Sequence, residues 1–170
     1  MKSTLLLLLL ISCATKVDKM LETSAENAFK SGYIIKTTNA KIIESVKIAD
    51  CIIKNTDYQN DILGVSSYSH YTGLNTKIVS DLLSDKKAIV SSYYKKYTKA
   101  SAYRIPNTNE IYVNRAKLGS HAKTVASLIH EKYHTLGYGH KGNKKNKYNN
   151  INSVPYLASS MSKKYVEGCK

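Results

Sequence analysis

The chain reads as an α+β domain. Short β-branched and aromatic runs have the character of strands, apolar residues recurring at spacings of three and four mark helical stripes, and no internal repeat points to a solenoid. Its 170 residues fit one domain or at most two small ones, and 42% hydrophobic content is too apolar for wholesale disorder. Two prolines and eight glycines exclude collagen-like and proline-rich architectures. With 26 Lys+Arg against 12 Asp+Glu, the formal charge is +14, so anionic partners have to be considered.

The first element is a targeting segment. Lys2 precedes the apolar run Leu5 to Ile11, which is too short to span a membrane but right for an export signal over residues 1–12. Leu10-Ile11-Ser12-Cys13 resembles the lipobox of bacterial lipoproteins, which implies lipidation of Cys13 and anchoring of the exported chain to a bacterial membrane. A plain signal peptide with an accidental cysteine is the other reading. Residues 13–30 carry few large apolar groups and are expected to be a tether. With Cys13 acylated, Cys51 and Cys169 remain as a pair. In an oxidising compartment they could bridge; otherwise they are two unrelated thiols, one in a helix and one on the tail.

The remaining elements follow in order. Gly32 to Thr37 has the composition of a short strand. From Lys41 to Lys54, Ile42, Val46, Ala49 and Ile53 form one helical face that Ile43 and Ile52 widen, with Ile48 off it. Asn55 to Asn60 reads as a polar turn, and Ile78, Leu82 and Leu83 as a short helix within residues 75–85. Ala88 to Tyr94 and Glu110 to Asn114 read as strands, the second following the turn Pro106 to Asn109. Ser120 is a good N-cap for a helix carrying Val125, Leu128 and Ile129 and stopping at Gly137. Residues 141–150, nearly all Lys, Asn and Gly, read as a solvated loop. A short helix or turn from Tyr156 to Glu167 closes the chain.

The helix after Ser120 bears His130-Glu131-Lys132-Tyr133-His134-Thr135-Leu136-Gly137-Tyr138-Gly139-His140. Four residues of helix set His130 and His134 about 40° apart and about 6 Å along the axis, so both rings reach one ion. Gly137 is free to take positive φ, ending the helix and returning the chain so that His140 supplies a third nitrogen. Three neutral imidazoles leave a fourth position open, where zinc activates water, and Glu131 is placed for proton transfer. A chance match at all five fixed positions is expected in about one chain in 100,000 of this composition, which disfavours an ordinary surface helix.

The pattern H-E-x-x-H-x-x-G-x-x-H resembles the signature of metzincin zinc peptidases, and the likeness covers residues 110–161. It implies a zincin-like α+β catalytic domain over residues 31–170, with a small twisted mixed sheet, an active-site helix and a C-terminal helix. It also implies one catalytic Zn²⁺ on His130, His134 and His140, and Glu131 as general base. By the same resemblance Glu110–Asn114 would be the edge strand that pairs with an extended peptide. The methionine turn beneath the metal would fall at Met161, or else Val154-Pro155-Tyr156 forms the turn with Tyr156 near the ion. Lys163 stands two residues after Met161 where the family often has Tyr, and Lys141 follows the third histidine, so no named subfamily is matched.

The expected function is therefore that of an exported, membrane-tethered, monomeric zinc endopeptidase acting on proteins or peptides. The alternative is a basic lipoprotein that binds anionic envelope surfaces through Lys86-Lys87, Lys95-Lys96, Lys141, Lys144-Lys145 and Lys163-Lys164, with a structural or inactive zinc site. No nucleic-acid-binding motif accompanies these lysines. His70 reads as a loop residue, His121 as a solvent-facing one, and the tyrosine clusters, including Tyr93-Tyr94, as core aromatics.

Overall fold

In the computed structural model, which describes residues 32–68, 73–140 and 151–170, strand β1 (Tyr33–Lys36) is followed by helix α1 (Ala40–Lys54). The signal segment, Cys13, the tether, His70 and the lysine-rich stretch 141–150 lie outside these residues. Asn39 caps α1, its side chain accepting from the Ile42 amide at 3.1 Å. Ile42, Val46, Ala49, Ile52 and Ile53 are buried along the expected stripe. Ile48, expected off the stripe, is buried as well, because α1 is flanked by other helices and by β1 and has two covered sides.

The expected polar turn after α1 is instead helix α2 (Thr56–Leu63). Asn55 closes α1 and at once caps α2, accepting from the Tyr58 amide at 3.0 Å. Only Tyr58 and Ile62 of α2 are buried, one turn apart, so the polar residues around them hide the period. Helix α3 (Asn75–Leu82) buries Ile78 and Leu82, whereas Leu83 is exposed.

Strands β2 (Ala88–Tyr93), β3 (Ala102–Arg104) and β4 (Glu110–Asn114) complete a mixed four-stranded sheet of order β1-β2-β4-β3. The first two pairings are parallel, with Val90 opposite Ile111; β3 is antiparallel to β4, with Tyr103 opposite Tyr112. Glu110–Asn114 is therefore not an edge strand. It lies between β2 and β3, and the three-residue β3, too short to leave a sequence pattern, is the edge. Helix α4 (His121–Thr135) and helix α5 (Val154–Ser162) pack against each other, and two 3-10 turns, Lys163–Tyr165 and Glu167–Cys169, end the chain.

Val90, Ile111 and Val113 on one face of the sheet join the apolar residues of α1, α4 and α5 in the core. Tyr33, Tyr58, Tyr68 and Tyr133 fill much of it, with the Tyr58 hydroxyl donating to the Ala158 carbonyl and that of Tyr68 to the Ile62 carbonyl, both at 3.1 Å. The core reading fails for Tyr93-Tyr94. Tyr94 is exposed, and strand alternation puts Tyr93 on the opposite sheet face, where it contacts Tyr103, itself stacked on Tyr112. A disulfide joins Cys51 on α1 to Cys169 near the chain end.

Candidate metal centre

Helix α4 has two chemically different sides. Val125, Leu128, Ile129 and Tyr133 face the core, while His130, Glu131 and His134 are half-buried on the other side. Lys132 belongs to the core side although it is charged. Its ammonium donates to the Gly32 carbonyl at 3.0 Å and to that of Lys86, and lies 5.5 Å from the Tyr33 ring centroid. It fastens α4 to the chain entering β1 and to the approach to β2. Burial pushes its pKa down to about 8. The sequence motif treats this position as variable, and nothing local to it marks the role.

The helix is opened by Ser120, whose hydroxyl accepts from the Lys123 amide at 3.3 Å. It closes at Gly137, with φ 98°. The Gly137 amide donates to the His134 carbonyl and the Tyr138 amide to the Tyr133 carbonyl, both at 3.1 Å, the pairing of a Schellman closure. That reversal returns the chain toward the His130 and His134 rings. The Tyr138 hydroxyl, donating to Asp81 at 2.6 Å, pins the returning segment to α3.

His130, His134 and His140 converge. Nε2 of His140 is 3.0 Å from Nε2 of His134 and 3.1 Å from Nε2 of His130. The ligand atoms of all three lie within 4.8 Å of one another. Nitrogens bound to one zinc ion at about 2.0–2.1 Å in tetrahedral geometry would be roughly 3.3 Å apart, so the spacing fits an ion with little movement.

The far ring nitrogens explain why the near ones face each other. His134 Nδ1 donates to the Tyr138 carbonyl at 2.7 Å, and His130 donates to the Pro155 carbonyl. His140 Nδ1 is 2.8 Å from the hydroxyl of Ser153, which is buried. A neutral imidazole that donates from one nitrogen offers a lone pair at the other, so the cluster presents lone pairs to a common point. Burial, then the charges of His134 and His140, push His130 down to about 3. Burial likewise lowers His134 and His140, and all three rings are held in the ligand form.

The floor of the site comes from Ser153 to Tyr156 at the start of α5. The Tyr156 ring centroid is 4.7 Å from those of both His130 and His140. Met161 sits in the last turn of α5, partly buried against the core, while Ser153, Pro155 and Tyr156 at its start make the contacts with His140 and His130. Glu131 lines a cleft of about 490 Å³ that also takes in His130 and Tyr156. Burial raises its pKa to about 7, against which the Arg104 amide, hydrogen-bonded to the carboxylate, and the Arg104 charge act.

Among the other histidines, His121 is turned onto α1 rather than out to solvent. Its Nδ1 lies 3.3 Å from the Ser45 hydroxyl and its Nε2 3.4 Å from Glu44, because α1 and the start of α4 pack side by side. Arg104 supports the centre without any local sequence signal, whereas Pro155 does so from the Val154-Pro155-Tyr156 segment that the resemblance offered as the turn. The weak hint for Ser153 was its place before Val154-Pro155, where a helix N-cap is usual, yet its hydroxyl makes no capping bond and serves His140 instead. No family model, no curated protein and no solved structure matches this chain.

Proposed function

We propose that this protein is a metzincin-like, zinc-dependent endopeptidase, exported and held at a bacterial membrane by a lipid on Cys13. The observation that carries the reading is the convergence of the His130, His134 and His140 lone pairs beside a carboxylate that opens on a cleft. The Cys51–Cys169 bridge supports export, since disulfides persist in oxidising compartments.

Zinc held by the three rings would supply Lewis-acid polarisation of the scissile carbonyl and activation of a water. Glu131 accepts the proton that the attacking water gives up as its oxygen adds to the carbonyl carbon, and then delivers it to the departing amine nitrogen. The Arg104 amide fixes the orientation of that carboxylate. Strand β3 offers the peptide a rail. Ser101 accepts from the Asn114 amide and the Ile105 amide donates to Glu110, so by strand alternation the amide and carbonyl of Ala102 and the carbonyl of Arg104 turn to the open side, the Arg104 amide being taken by Glu131. An extended substrate adds there as a further strand.

The test is cleavage of an unstructured protein by the purified, zinc-loaded protein and by Glu131→Ala. The variant is expected to keep its metal and lose at least about 100-fold in kcat/KM. Undiminished cleavage by the variant would remove Glu131 from the mechanism, and a zinc-loaded wild type that cuts nothing would remove the peptidase reading.

A further inference from the structure

The cleft beside the candidate metal centre has a charge pattern of its own. Lys123 stands seven residues before His130 on α4, and Lys163 stands seven residues after Tyr156, just past the end of α5. Seven helical residues advance about 10 Å, and positions seven apart share a face. Lys123 on α4 and Lys163 in the 3-10 turn after α5 both line the cleft. Glu131 is the one acid among its described lining residues.

Neither lysine is in an ion pair with a described residue. Among the described residues the lysine ion pairs are Lys54 with Asp50, Lys77 with Asp81, Lys164 with Asp61 and Lys170 with Glu167. Lys123 and Lys163 are in none. Two such lysines on the lining of one concavity favour an anion there and disfavour a cation.

Strand β3 decides which part of a substrate meets them. Its Arg104 end is at Glu131, whereas Ser101 and Ala102 line the cleft with Lys123. A peptide antiparallel to β3 passes Arg104 first and Ala102 afterwards, so the residues that follow the scissile bond enter the cleft. Lys123 is about 10 Å of helix from His130 and its stem lies against Gly119, farther still from the cut, a depth that an extended peptide at about 3.3 Å per residue reaches two to four residues past the scissile bond.

We infer that Lys123 and Lys163 make the cleft a specificity pocket for an acidic side chain, aspartate or glutamate, in the stretch of substrate that follows the scissile bond. The inference rests on the peptidase reading for its direction along the substrate and on the cleft lining for its charge.

Two measurements separate the two ideas. The zinc-loaded protein is offered a randomised peptide library and the cut sites are sequenced. Asp and Glu should be enriched roughly fivefold or more within the second to fourth positions after the cut, and Lys123→Glu/Lys163→Glu should shift the preference to Lys and Arg. In parallel, zinc-loaded Glu131→Ala is titrated with an N-acetylated hexapeptide carrying one central glutamate and with its glutamine counterpart. The glutamate peptide should bind roughly fivefold more tightly, and added salt should erase the difference. Cleavage without acidic preference overturns the pocket and leaves the peptidase. Selective binding without cleavage overturns the peptidase and leaves the pocket. Equal binding of the two peptides, with no cleavage, overturns both.

Discussion

At the residue scale, the metal centre depends on groups that never touch the ion's position. Ser153 holds the ring of His140 from 2.8 Å while buried among apolar neighbours, and a hydroxyl removed there frees the imidazole to rotate away from its two partners. Ser153→Ala should therefore weaken zinc binding by roughly tenfold with little effect on folding, read by competition against a chromophoric chelator, and Ser153→Thr should restore part of it. Unchanged affinity would mean that His140 is positioned by the backbone alone. The ring-bearing positions were legible in the sequence because helix geometry alone brings residues 130 and 134 together and a glycine turn returns residue 140. Ser153 was not legible, since its contact with His140 depends on how α5 approaches α4, whereas Pro155 falls in the Val154-Pro155-Tyr156 segment that the resemblance offered as the turn. Lys132 was hidden for another reason: a lysine among histidines reads as surface charge, and only the carbonyls of Gly32 and Lys86 show that it is internal.

At the element scale, two carboxylates on neighbouring helices tie distant segments together. Asp81 on α3 accepts from Tyr138 and pairs with Lys77, and Asp61 on α2 takes Lys164 at 2.9 Å and the Tyr165 hydroxyl at 2.8 Å. These hydrogen bonds, led by the lysine in each case, hold both carboxyls below the usual 3.8. A carboxyl lowered in the fold contributes stability that is present above its unfolded pKa and lost as pH falls through its folded value. Thermal midpoints measured from pH 6 to pH 2.5 should accordingly fall steeply below about pH 4, and Asp61→Asn/Asp81→Asn should start lower at pH 6 and fall less. An equally steep acid limb in the double variant would assign the acid sensitivity elsewhere. Long elements with clear stripes, α1 and α4, could be read from the sequence. The short ones could not: α2 buries two side chains and β3 spans three residues, so packing rather than pattern defines them. That gap misplaced the sheet edge, because without β3 the strand Glu110–Asn114 has an open side.

At the scale of the whole molecule, Cys51–Cys169 closes a loop across 118 positions and ties the chain end to α1. In the chain-entropy account such a closure stabilises the fold by about 4–5 kcal/mol, so reduction or Cys51→Ser/Cys169→Ser should lower the thermal midpoint by roughly 10 °C or more. A shift of only a degree or two would contradict that role. No described helix is long and apolar enough to cross a membrane, and attachment is proposed through the lipid on Cys13. The charge of +14 has a narrower meaning than it had in the sequence alone, since two of its lysines line the cleft. Every step of the proposed function nevertheless depends on one ion held by His130, His134 and His140. The most direct test is the zinc content of the purified protein after exhaustive dialysis against zinc-buffered solution, beside His130→Ala and His140→Ala. The account predicts about one zinc per wild-type chain and at least a tenfold loss of affinity in each variant; a wild type without zinc, or variants that keep it undiminished, would contradict it.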